Sequence, residues 1–219
     1  MQKEKLMFPC GDISLEGVLG LPEGEGPFPA VVVCHPHPLY GGNMNVDMVH
    51  HVCAALGEHS IASLRFNFRG VGRSGGKHDN GIGEQDDVKA ALSLLEERGE
   101  IDSSRLGLCG YLFGTMVSIP VADKDERVQA YAGISAFFLL PDLLMDFHKP
   151  KFFIHGTRDE FISHRQAEEN FDRLPEPKEF VSVEGADHFW WGYDKEAAGR
   201  VGDFFASCLK QELPQGWFS

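Results

Sequence analysis

The sequence has no apolar run of 18 residues, so nothing in it reads as a membrane-spanning helix. Residues 1–10 lack the continuous apolar core of a secretory signal. Basic residues are scarce: 20 Lys and Arg stand against 33 Asp and Glu, a net charge of −13. A field of that sign repels phosphate backbones and anionic bilayers, so neither nucleic acid nor membrane is expected as a partner. The five cysteines, Cys10, Cys34, Cys53, Cys109 and Cys208, are odd in number and show no C-x-x-C spacing. That pattern supports neither a disulfide framework nor a zinc site, and a reducing cytoplasm is the expected setting. Internal repeats, low-complexity tracts and Pro/Gly/Ser linkers are also missing.

What is present is the composition of a folded protein, 42% hydrophobic and 24% charged over 219 residues. At about 150 residues per domain, and up to 250 for α/β chains, residues 1–219 read as one domain. Short β-branched runs alternate with helical periodicity. Strands are expected at residues 13–21, 30–34, 61–68, 106–109, 128–134, 152–155 and 179–183, with amphipathic helices between most of them. Pro120 is expected to truncate or kink the helix that it interrupts. Only one short helix fits between Ile134 and Phe152, which leaves no room for a cap domain. Parallel strands need helical crossovers, so the fold class is α/β: a doubly wound, mostly parallel sheet with helices on both faces. In such sheets ligands bind beyond the carboxyl ends of the strands.

Four strand ends carry chemistry. Gly110-Tyr111-Leu112-Phe113-Gly114 follows a strand and opens a helix, the context of a nucleophile elbow, but its central residue is leucine and has no nucleophilic atom. Asp159 lies in the loop after the next strand but one, and His188 in the loop after the strand that follows. The order elbow, acid, histidine suits an Asp159 that orients His188 as general base; Asp187, adjacent to His188, is the less favoured acid. The loop His35-Pro36-His37-Pro38 follows the most apolar strand. Its prolines cannot donate, which leaves the N–H of His37 as one half of an oxyanion hole and that of Phe113 as the other. Two histidines two apart on an extended loop point to opposite sides and lack a third ligand, so no metal is expected. The segment 66–75, rich in glycine and arginine, lacks the P-loop lysine and reads as a turn held by Arg–acid contacts.

Together these motifs resemble the α/β-hydrolase superfamily, and within it the small, lidless, esterase-like bacterial branch. The match rests on His35-Pro36-His37-Pro38 with Gly41-Gly42-Asn43-Met44-Asn45, on residues 66–74, on the elbow glycines, and on the segments 155–159 and 185–189. The resemblance implies cofactor-free hydrolysis of carboxylic esters by a Ser-Asp-His triad, with Asp159 and His188 in the acid and base roles. It also implies serine where this chain has Leu112. Either an active hydrolase has been changed at its nucleophile, or the chain is a natural pseudoenzyme that keeps the pocket for binding a small molecule. Cys109, Thr115 and Ser118 are poor substitutes, being in the strand or on the following helix. Leu39, Tyr40, Phe137, Phe138, Phe189 and Trp190, with Trp191 next to them, are the expected walls of an open pocket for small to medium apolar esters.

Overall fold

Two long N-terminal segments, β1 (Gln2–Cys10) and β2 (Ile13–Leu21), pair antiparallel around a two-residue turn beginning at Gly11, whose φ of 56° favours glycine. This computed structural model describes residues 1–137 and 143–210. β1 was not expected from the sequence. It is an edge strand with Pro9 near its end, and its extended form follows from pairing with β2 rather than from its own weak alternation.

From β3 (Phe28–Cys34) onward the expected alternation holds: α1 (Asp47–Glu58), β4 (Ala62–Phe66), α2 (Gly83–Glu96), β5 (Ile101–Tyr111), α3 (Phe113–Lys124), β6 (Val128–Ile134), β7 (Lys151–Gly156), α4 (His164–Asp172), β8 (Lys178–Val183) and α5 (Asp194–Leu209). The eight strands form one sheet in the order β1-β2-β4-β3-β5-β6-β7-β8. β4 to β8 run parallel to β3, while the β1/β2 and β2/β4 pairs are antiparallel.

The near-continuous apolar run of β3 reflects cover on both faces. Val31 and Val33 pack with Val49, Val52 and Leu56 of α1 and with Val201 and Phe205 of α5. Val32 faces the opposite layer, with Val88, Leu92 and Leu95 of α2 and Val117 and Val121 of α3. Each fully buried Val, Leu or Phe side chain contributes about 1.5–3 kcal/mol relative to exposure, so these two layers carry most of the folding free energy.

Pro120 does not break its helix: α3 runs unbroken from Phe113 to Lys124. Pro120 and Met116 both lie on the half-buried side, so the carbonyl deprived of a partner faces the less enclosed side, while Val117, Ile119 and Val121 stay anchored in the core. Between β6 and β7 the described residues, 135–137 and 143–150, form turns and no helix.

The chain leaves β3 in one direction, toward β4, and returns to add β5 on the other side of β3. The reversal makes a topological switch point between β3 and β5, the place where an open α/β sheet leaves a crevice. Cys34, the last residue of β3, pairs with Gly110 near the end of β5. The loops that follow these two strands are therefore neighbours.

Candidate active site

Leu112 occupies the turn between β5 and α3 with φ 51° and ψ −115°, a left-handed conformation that a branched side chain adopts only under strain. Its flanking glycines are required sterically. A Cβ at Gly110 would lie 2.6 Å from Ser118 Oγ and 2.7 Å from the Thr115 backbone; one at Gly114 would lie 2.3 Å from the Cys34 carbonyl oxygen. The turn is pinned from both sides, because Leu112 N–H donates to the Ile134 carbonyl at 3.1 Å while Thr115 Oγ1 donates to the Leu112 carbonyl at 2.6 Å. Ser135, just beyond β6, and Trp190, in the segment between β8 and α5, also have positive φ. The Leu112 side chain is buried, in the apolar cluster that holds Trp190, Ala186 and Ile134.

Asp159 and His188 lie in the loops after β7 and β8, which pair in register from Lys151↔Lys178 to Gly156↔Val183. His188 Nδ1 is 3.0 Å from both carboxylate oxygens of Asp159. A carboxylate only accepts, so Nδ1 carries the proton and Nε2 is left free to take one. Asp159 Oδ1 also accepts from the backbone N–H groups of Phe161 (2.9 Å) and Ile162 (2.8 Å). Burial pushes this carboxyl up, but the hydrogen bonds from His188, Ile162 and Phe161 outweigh it and hold Asp159 below its ordinary pKa. Behind the pair, His155 Nε2 lies 3.5 Å from Asp159 Oδ2 and 3.1 Å from the carbonyl of Ile162, to which it donates.

On the other side of the elbow, the His37 carbonyl accepts from the N–H groups of Tyr40 and Gly42, which folds the loop into a tight turn around Pro38–Tyr40. The His37 N–H itself meets no acceptor among the described residues, and the same holds for the Phe113 N–H at the first position of α3. The two rings pack with centroids 4.6 Å apart. The structure thus brings together the loop and the helix start that were expected to hold an oxyanion.

His35 has no role as a metal ligand here. Its ring is fully buried, Nδ1 donates to the Pro36 carbonyl at 2.6 Å, and Nε2 accepts from Phe68 N–H at 3.1 Å. Burial lowers its pKa to about 4, against which the bond to Pro36 is too weak to prevail. Folded His35 therefore stays neutral between pH 6.5 and 4, while the unfolded chain takes up a proton. Stability is complete above pH 6.5 and is expected to fall by about 3 kcal/mol as the pH drops to 4, on this residue's account. Urea unfolding at pH 7.5 and 4.5 measures this, and His35→Gln should flatten the dependence; an unchanged slope would refute it.

The expected pocket residues separate into groups. Leu39 and Tyr40 are exposed on the His37 loop, Phe189 is exposed beside His188, and Trp191 is exposed next to them. Phe137 is half-buried, its N–H donating to Thr115 Oγ1. Trp190 is buried completely, with its indole N–H on Ser135 Oγ at 3.1 Å, so it supports the pocket from the core and offers no exposed wall. Phe138 lies outside the described residues. Cys109 is buried in β5, and burial pushes its thiol far up, so it holds no thiolate; Ser118 Oγ is committed to Tyr131. The segment 66–75 is a turn held as expected: Arg69 forms a charge-assisted pair with the buried Asp87 at 2.7 Å, and Ser74 Oγ donates to the Asn67 carbonyl.

One residue escaped sequence reasoning. Phe161 is 69% exposed, yet its ring lies 4.7 Å from that of His188 and 5.9 Å from that of Phe189. The only local signal was its position two residues after Asp159, where its N–H could close a turn onto the carboxylate.

The family model of the dienelactone hydrolase family matches residues 76–212. An uncharacterised protein of Rickettsia prowazekii is 31% identical over 191 residues, covering 80% of this chain and 78% of its own. Among solved structures, an alpha-beta serine hydrolase homologue from Coxiella burnetii superposes with a TM-score of 0.84 at 32% identity, covering 93% of this chain and 97% of that one. A lidless α/β serine hydrolase from Xanthomonas campestris superposes with a TM-score of 0.83 at 28% identity, covering 97% of both chains.

Proposed function

Because the chain belongs to the dienelactone hydrolase family, and its fold is that of a lidless α/β serine hydrolase, we propose that it is built to hydrolyse small to medium apolar carboxylic esters. In this reading a serine at position 112 attacks the ester carbonyl, His188 takes its proton, and Asp159 holds the imidazole in the required tautomer. The N–H groups of His37 and Phe113 receive the developing oxyanion. His188 then returns the proton to the departing alkoxide, and water repeats the sequence to release the acid. With leucine at 112 the chain keeps this apparatus but has nothing for His188 to activate, so as it stands it does not turn esters over.

The observation that carries the reading is the His188–Asp159 pair, 3.0 Å apart, at the ends of adjacent strands of a sheet whose elbow keeps its strained turn despite the leucine. Restoring serine, Leu112→Ser, and assaying a short-chain nitrophenyl ester tests it. The second reading, a non-catalytic module that binds a small molecule in the same pocket, draws on the burial of the Leu112 side chain in the cluster with Trp190. It predicts ligand binding and no turnover even after Leu112→Ser.

The exposed Phe161 and Phe189 flanking His188 support the preference for apolar substrates, since each ring offers a large apolar face beside the base. In the Leu112→Ser background, Phe161→Ala is expected to raise KM for nitrophenyl butyrate about tenfold, with a smaller change in kcat. That is the pattern of lost ground-state binding. Steady-state kinetics on a series of acyl lengths measures this. Faster turnover of long-chain than of short-chain esters would contradict the assigned substrate size.

A further inference from the structure

The His37 loop has a second face. Behind it, between residues 38–45 and the turn 67–78, lies a groove of about 730 Å³ that none of Leu112, Asp159 and His188 lines. His78 lines this groove, and its ring packs 5.0 Å from that of His37 and 5.6 Å from that of Phe113. The groove thus adjoins the proposed oxyanion loop and shares Leu39 with the expected ester pocket.

The charge inside it runs against that of the molecule. Arg73 and Lys77 line it, both are exposed, and neither side chain meets a partner among the described residues. His78 Nδ1 lies 2.8 Å from Oε1 of the buried Glu84, so the ring turns toward that carboxylate and supplies the groove a wall rather than a donor. Glu84 is itself engaged by the N–H groups of Asp79 and Gly81. The one carboxylate in the lining, Glu16, is also occupied: its Oε2 accepts from Asn67 Nδ2 at 3.0 Å and from Arg73 N–H at 2.9 Å. Arg73 and Lys77 therefore leave the lining with more positive than negative charge, and their side-chain donors are uncommitted. The net charge of −13 acts at long range, but screening over about 8 Å at physiological salt lets the local cations govern a ligand inside the groove.

We propose that this groove binds a small molecule through an oxyanion group, a carboxylate or a phosphate, held by Arg73 and Lys77. Charge-assisted hydrogen bonds to such a group are about twice as strong as neutral ones, and a planar guanidinium can pair with two oxygens of one oxyanion, which chloride does not offer. The proposal does not depend on hydrolysis, because it concerns binding by the chain as it stands.

The test is titration of the protein with inorganic phosphate and, separately, with succinate, at constant ionic strength. Calorimetry and the imidazole resonances of His78 follow binding. Saturable one-site binding of at least one anion is expected. The double variant Arg73→Gln/Lys77→Gln should weaken it at least tenfold without changing thermal unfolding, and Arg165→Gln, an exposed arginine on α4, should leave it unchanged. Tighter phosphate binding assigns a phosphate ester as ligand, and tighter succinate binding assigns a carboxylate. Saturation by neither anion, or equal affinity in the double variant, overturns the site and leaves the ester reading untouched.

Discussion

Leu112→Ser is expected to raise hydrolysis of a short-chain nitrophenyl ester by at least ~10³-fold over the chain with leucine, and by as much as ~10⁶ if acylation is fully restored. The upper figure is what separates a complete serine machine from the residual assistance of oxyanion donors and binding alone, and the lower is the least gain that partial restoration of acylation would give. The geometry favours the change. The turn at 112 is already in the left-handed conformation, fixed by Gly110, Gly114 and the Thr115 hydroxyl, so serine enters a prebuilt elbow. The shorter side chain also vacates space beside Trp190 where leucine is buried, opening the position to a substrate carbonyl. Equal rates for the two proteins, with matching circular dichroism, would favour the binding-module reading instead.

The second large effect concerns the acid. In the Leu112→Ser background, Asp159→Asn is expected to lower kcat by about 10⁴. Asparagine keeps an oxygen for the N–H groups of Phe161 and Ile162, so the loop should hold its shape. Its amide nitrogen, however, faces His188 Nδ1 and can only donate, which forces the ring proton onto Nε2. That tautomer cannot accept the hydroxyl proton of the nucleophile. Far-ultraviolet circular dichroism should be unchanged while turnover collapses, and a loss smaller than tenfold would mean that Asp159 does not orient His188. Asp187, the less favoured acid, donates nothing to this comparison: its Oδ1 accepts from Phe189 N–H at 3.0 Å and from Trp191 N–H at 3.3 Å, the pattern of a turn residue.

Much of this arrangement was legible from residue order. The apolar runs of β3 and β5 are buried on both faces, and a run of Val or Leu with no polar alternation has few other destinations. The elbow was readable because glycines two positions either side of one residue, between a strand and a helix, are a steric requirement, borne out by the close approaches at Gly110 and Gly114. β1 was missed since an edge strand with a proline and little alternation becomes extended only when a partner strand supplies its hydrogen bonds. Pro120 fails to end its helix for a related reason. Its local cost is real, but α3 is held at Val117, Ile119 and Val121 by the sheet beneath, which outweighs one lost backbone bond.

Sequence alone determined the α/β alternation, the strand-end positions of residues 37, 112, 159 and 188, and the absence of a nucleophilic atom at 112, because these depend on short-range periodicity, turn chemistry and residue identity. Tertiary structure alone decided that Phe161 lies against His188, that Trp190 sits in the core while its neighbours are exposed, and that Arg73, Lys77 and His78 share a groove beside the His37 loop. Those contacts join residues distant in the chain, and they exist only once strand register and helix packing have set which loops meet.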